Sequence, residues 1–165
     1  MGQVQPRTTS FDGRWLAGGA AALAFASAAV SLFWTLGGTL LLDTLGGELE
    51  DLVRARSLGG LALGAAAILL KVTAGLLALA LLQPRHGRLR RRGVLIASGA
   101  ASAILVLWGG ANVLIGALVL GGVVVPSGAV DEHALRWRVF VWDLWFLVWG
   151  IALALAVALH RRRTP

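Results

Sequence analysis

Four stretches of this chain, 15–36, 58–82, 93–125 and 139–159, are almost uninterrupted runs of apolar residues, and short polar connections separate them. Each reaches the roughly 20 mostly apolar residues that a helix needs to cross a ~30 Å hydrocarbon core. The pattern predicts an all-α integral membrane bundle of four transmembrane helices. Residues 1–165 then form a single membrane domain, with spans near 15–36, 58–82, 93–120 and 139–159. The third run is too long for one crossing: its 33 residues would extend about 50 Å as a helix. A tilt, or a break near Gly121-Gly122 with the chain running out to Pro126, is expected ahead of a re-entrant stretch. In the first span, Ala26-Ser27-Ala28 resembles a signal-peptide cleavage site, but the apolar run continues to Leu36, which favours an uncleaved helix.

The connections carry patterns of their own. In "GGELEDLVRARS" the apolar Leu49, Leu52 and Val53 recur at helical spacing, with acids early and arginines late. That is the charge order a helix dipole prefers, so a short amphipathic helix is expected in this first loop. The second connection, "QPRHGR", is a tight basic turn, which predicts that spans two and three are antiparallel neighbours.

Inside the apolar runs, three strongly polar side chains break the pattern: Lys71, Asn112 and Asp143. Lys71 is flanked by twelve uncharged residues before it and eleven after it. On a helical wheel it shares a face with Gly60, Gly64, Ala67, Ala74, Gly75 and Ala78. Faces of small residues let membrane helices pack closely, so the lysine is expected to point into the bundle. Asn112 lies with Ser98, Ala101, Leu105, Gly109 and Gly116, and Asp143 with Gly150 and Ala154. Ionisable groups inside a membrane are candidates for function. Lys71, Asn112 and Asp143 are therefore a candidate polar site, either a proton-linked pair or an anion site. The competing reading is a structural network that fixes helix register.

Charge decides the orientation. Only 14% of residues are charged, against about 25% in ordinary soluble domains. The net charge of +7 comes mainly from Arg85, Arg88, Arg90, Arg91 and Arg92 in the second loop and Arg161, Arg162 and Arg163 at the C-terminus. The first loop is acidic. By the positive-inside pattern, both termini and the second loop are cytoplasmic, and the amphipathic helix lies outside. Those second-loop arginines suit anionic lipid headgroups of the inner leaflet. Topology thus explains the basic balance, and no nucleic-acid partner is expected. With no cysteine, disulfides and thiolate metal sites are excluded. His86, His133 and His160 lie at the membrane edges without metal or haem spacing, so no metal and no cofactor are expected. The serines within the spans have no histidine at their depth, and no catalytic constellation emerges.

Two segments carry a resemblance. "SLFWTLGGTLLLDTLGGELEDLVRARS" (31–57) and "RWRVFVWDLWFLVWG" (136–150) resemble a family of small four-helix bacterial membrane proteins known as domain of unknown function 3995. The matching positions include Trp34, Asp43, Thr44, Trp142, Asp143 and Trp145. The resemblance implies a multi-pass protein of the bacterial inner (plasma) membrane, and it implies no activity, substrate or cofactor. It also draws Asp43, Thr44, Trp34, Trp142 and Trp145 together as candidates for an outer mouth rich in carboxylate and tryptophan. Two functions follow as expectations. The first is a small membrane protein without catalysis, acting as an accessory or interaction component, with a homo-oligomer or a membrane-protein partner in view. The second is a ligand-binding or proton-coupled transport protein with an outward pocket around Lys71, Asn112 and Asp143.

Overall fold

The computed structural model describes residues 12–83, 87–128 and 130–162. All regular elements among them are helical. Helix α1 spans Asp12–Thr35, α2 Gly47–Ala55, α3 Leu58–Ala80 and α4 Arg88–Leu120. Helix α5 (Glu132–Trp137) runs through a π-helical stretch, Arg138–Asp143, into α6, Leu144–Arg162. The protein is an all-α integral membrane bundle: α1, α3, α4 and the α5–α6 rod are each long and apolar enough to cross a membrane. The large apolar side chains turned outward, Leu69, Leu70, Leu107 and Trp108 among them, are what a lipid-facing surface requires.

The amphipathic helix falls where its spacing placed it, as α2. Its corner with α3 turns on Arg56, which is left-handed at φ 47°, and Ser57 then caps α3 by accepting from the Gly60 N–H at 3.1 Å. Helix α4 starts five residues before the apolar run and stops at Leu120 with Gly121 as its cap, and Gly122 at φ +71° turns the chain away. The predicted break at this glycine pair is therefore its C-terminal end.

Helix neighbours differ from the expectation. Helices α3 and α4 meet only marginally despite their tight connection; α3 packs along α1, α1 along α6, and α6 along α4. A short turn constrains only the ends it joins, and the small-residue faces decide the rest. Helix α1 offers an alanine stripe, Ala17, Ala20, Ala21 and Ala24, all buried, to Ala74 and Ala78 of α3. On α4 the buried small residues Ser98, Ser102, Gly109 and Gly116 instead form the side turned to the last span. There the backbones touch: a β-carbon at Gly109 would lie 2.6 Å from the Leu147 nitrogen, and one at Gly150 would lie 2.8 Å from the Val106 nitrogen.

Candidate functional site

Lys71 sits on the face of α3 turned to α1. Its ammonium donates to Ser31 Oγ at 2.6 Å and, at the long limit of a hydrogen bond, to the Ser27 carbonyl at 3.4 Å. It also lies 5.4 Å from the centre of the Phe146 ring, within reach of a cation–π contact. Ser27 and Ser31 are one turn apart, so α1 presents both on one side, where they continue the alanine stripe. Sequence reasoning missed these partners because it examined the serines for catalysis. The i, i+4 spacing at the end of a small-residue stripe was the available signal.

The ammonium borders a cavity of about 190 Å³. Trp34 and Val30 of α1, Gly64 and Ala67 of α3, and Trp145 and Phe146 of α6 form its walls. The apolar face of α2, through Leu49, Leu52 and Val53, closes it from above. Lys71 and Ser27 are the lining residues farthest from α2 along their helices, so they form the floor. Thirteen residues separate Lys71 from the start of α3, roughly 20 Å along its axis. Below the floor the core is closed by Trp149, Leu153, Ala24, Ala74 and Ala78, all buried.

The motif segments hold the upper rim in place. Trp142 Nε1 donates to Thr44 Oγ1 at 3.0 Å, and the Thr44 hydroxyl donates in turn to the Leu41 carbonyl at 2.6 Å. Trp34 Nε1 donates to the Leu40 carbonyl at 2.9 Å, and its ring meets Trp142 edge to face at 5.2 Å. Trp145 Nε1 reaches the Leu23 carbonyl at 3.2 Å. Gly37, at φ +102°, adopts a conformation that L side chains rarely take, and a β-carbon there would lie 2.9 Å from the Arg56 guanidinium. The same guanidinium donates to the Leu36 carbonyl at 3.5 Å. These contacts tie α2 to the ends of the first and last spans.

The expected polar trio divides. Lys71 lines the cavity; Asn112 and Asp143 do not. Both lie at the seam of α4 with the last span, on the other side of α6 from the tryptophans. Asn112 Nδ2 donates to the Trp108 carbonyl of its own helix at 2.8 Å. Asp143 is buried, and its carbonyl abuts Gly109. Among the described residues no basic group comes within ion-pair distance of its carboxylate, and none of the acidic residues comes within that distance of Lys71. Of the outer-mouth candidates, Trp34, Trp142 and Trp145 line the cavity, Thr44 is buried as a link beside it, and Asp43 is exposed. The rim is therefore not rich in carboxylate: the charged lining groups are Lys71 and Arg56.

At the opposite end Arg90 and Arg92 are exposed, whereas Arg91 is half-buried and donates to the His160 carbonyl at 3.3 Å. Arg85, His86, Arg163 and the side chain of Arg88 lie outside the described residues.

An all-α membrane protein with a walled cavity in one half of its bundle is the class that these features define. The chain belongs to the family described as protein of unknown function (DUF3995), whose sequence profile matches residues 24–153. That span takes in both motif segments and every residue at the cavity. No curated protein and no solved structure matches the chain.

Proposed function

We propose that this protein is a membrane-embedded binding protein that takes a small, largely apolar molecule into the cavity beneath α2, with no chemistry of its own. The observation that carries the reading is the cavity itself. Three spans and an amphipathic helix enclose it, apolar side chains dominate its walls, and hydrogen-bonded motif residues hold its rim. Concave, mostly apolar sites with a few placed polar groups are the usual form of a small-molecule site. An engineered apolar cavity of about 150 Å³ accommodates benzene, so this one suits a single substituted ring or a compact branched chain.

The arginine excess at the opposite end sets the α2 end outward and the arginines against anionic headgroups of the inner leaflet. The cavity then lies in the outer half of the bundle, beneath α2. Its floor ends on packed Trp149, Leu153 and alanine, which supports an accessory role in binding over transport across the bundle.

The test uses the full-length protein in phosphatidylcholine nanodiscs with para-bromobenzamide, a neutral probe whose bromine quenches nearby tryptophans. Three tryptophans line the cavity, so saturable quenching above the linear background of bilayer partitioning is expected. Ala67→Phe, which fills the cavity from α3, should remove the saturable part while the helical spectrum is unchanged. Quenching that never saturates in the wild type would end this reading.

A further inference from the structure

The cavity floor carries a charge that none of the described acidic residues balances. An ammonium has three N–H donors. At Lys71 one meets the Ser31 hydroxyl at 2.6 Å, one a distant carbonyl at 3.4 Å, and the side chain also faces the Phe146 ring. These partners are neutral, and among the described residues no carboxylate stands within ion-pair distance. Even a half-buried cation without a counter-charge is costly, and helix packing does not demand one here, since the alanine stripe of α1 packs α3 without it. Asp143, an acid in the span that supplies Phe146, does not line the cavity. Ser31 accepts from the ammonium and keeps its own O–H to donate, so Lys71 and Ser31 together present two donors at one spot.

We infer that the occupant of this cavity is a compact monocarboxylic acid, bound with its carboxylate on Lys71 and Ser31 and its apolar body toward Trp34, Trp142 and Leu52. This rests on the binding reading above and specifies its ligand. A planar carboxylate has two oxygens, one for the ammonium and one for the hydroxyl, and charge-assisted hydrogen bonds of this kind are the strong ones. The cavity volume limits the body to about one ring or a short branched chain. Arg56 lies at the rim, at the start of the path to the floor, where it favours entry of an anion. The arrangement turns the unbalanced lysine from a cost in the empty protein into the determinant of what fills it.

The experiment compares para-bromobenzoate with para-bromobenzamide, which match in size and differ in charge, by saturable tryptophan quenching in the same nanodiscs. The measured quantity is the ratio of their affinities in wild type divided by that ratio in Lys71→Met, which cancels bilayer partitioning. We expect this quotient to be about tenfold or more, the scale of one hydrogen-bonded charge pair. Ser31→Ala, which leaves the lysine and the packing in place, should lower the wild-type ratio about threefold, and it serves where Lys71→Met does not fold. Equal ratios in wild type and Lys71→Met, or in wild type and Ser31→Ala, would overturn the inference. So would a loss of discrimination in Arg56→Gln with none in Lys71→Met, which would put the carboxylate at the rim. Saturable amide binding with no preference for the acid removes this inference and leaves the binding reading standing. Absence of saturable binding by both compounds removes both.

Discussion

Around Gly109 and Gly150 the backbones of α4 and the last span come into contact, and Asp143 is buried there. Along α1 and α3 the same kind of face, small residues with one polar side chain, ends in a cavity with Lys71 at its floor. The difference lies in what the partner helix offers. Helices α4 and α6 set Gly109 against the Leu147 nitrogen and Gly150 against the Val106 nitrogen, so each accepts the other's backbone. Helices α1 and α3 meet through side chains instead: a β-carbon at Gly75 would lie 3.0 Å from the Phe25 ring and 3.2 Å from the Ala24 β-carbon, and one at Gly64 would run into the Thr35 side chain. Toward α2 the small stripe of α1 gives way to Val30 and Trp34, while α3 still carries Gly64 and Ala67. These bulky side chains face small ones across the cavity, and α2 covers it. A polar residue on a small face thus becomes a packed element or a site according to the residues opposite it.

The sharpest way to break this contrast is to force a side chain into the closed seam. In Gly109→Leu the new β-carbon would meet the Leu147 nitrogen and, at 2.9 Å, the Asp143 carbonyl, and these backbone atoms cannot move aside. We expect a loss of about 3 kcal/mol, the upper end of overpacking costs, read as a lowered unfolding midpoint in detergent. Gly99→Ala on the same helix, whose nearest neighbour is the Arg161 side chain at 3.5 Å, should cost no more than about 0.5 kcal/mol. Equal losses at the two positions would mean that the seam is not closed by glycine.

A smaller effect is expected at the rim of the open side. Thr44→Val keeps the shape of a residue only 2% exposed, but it leaves the Trp142 indole N–H without its acceptor. About 1–3 kcal/mol should be lost, the range for a buried donor stripped of its partner. Faster proteolysis within α2 should accompany that loss, since this link holds the loop to the last span. Unchanged proteolysis would show that α2 is held by its own apolar contacts instead.

Lys71→Met should move stability still less, within about 1 kcal/mol of wild type in detergent at neutral pH. It removes one short hydrogen bond and a ring contact, but it also removes a half-buried charge, and such exchanges are often close to neutral. A loss of several kcal/mol would instead make Lys71 a structural post and deprive the cavity floor of its proposed role.

These cases show what the sequence makes legible. The spans are readable because nothing but lipid explains such long apolar runs, and Lys71 stands out because charge inside one is expensive. Helix ends are less readable. Helix α4 starts at Arg88 inside the basic turn, and α5 starts at Glu132 because Asp131 Oδ1 accepts from the His133 and Ala134 N–H groups at 2.9 and 3.2 Å. Hydropathy registers only the part of a helix that meets lipid. The separation of Lys71 from Asp143 was out of reach for a different reason. Each lies on a small-residue face, but a helical wheel does not say which neighbour a face meets, and the short turn between α3 and α4 pointed to the wrong one. The cavity was hidden too, because its wall is a difference in bulk between two helices and its cover is a third.

The smallest effect should come from Asn112→Leu. The side chain spends its one hydrogen bond on the Trp108 carbonyl, a group already within its own helix ladder, so its removal orphans nothing. Side-chain hydrogen bonds within membrane bundles average about 0.6 kcal/mol, and we expect a loss no larger than that. The measurement matters because Asn112 lies between Gly109, which abuts Asp143, and Gly116, which abuts Val139. If the amide oriented the carboxylate, its loss would leave Asp143 buried and unsupported, and the cost would rise to about 2 kcal/mol or more. A loss of that size would make the α4 seam a second polar centre. The contrast between a closed side and an open one would then give way to two sites that differ only in how much room they hold.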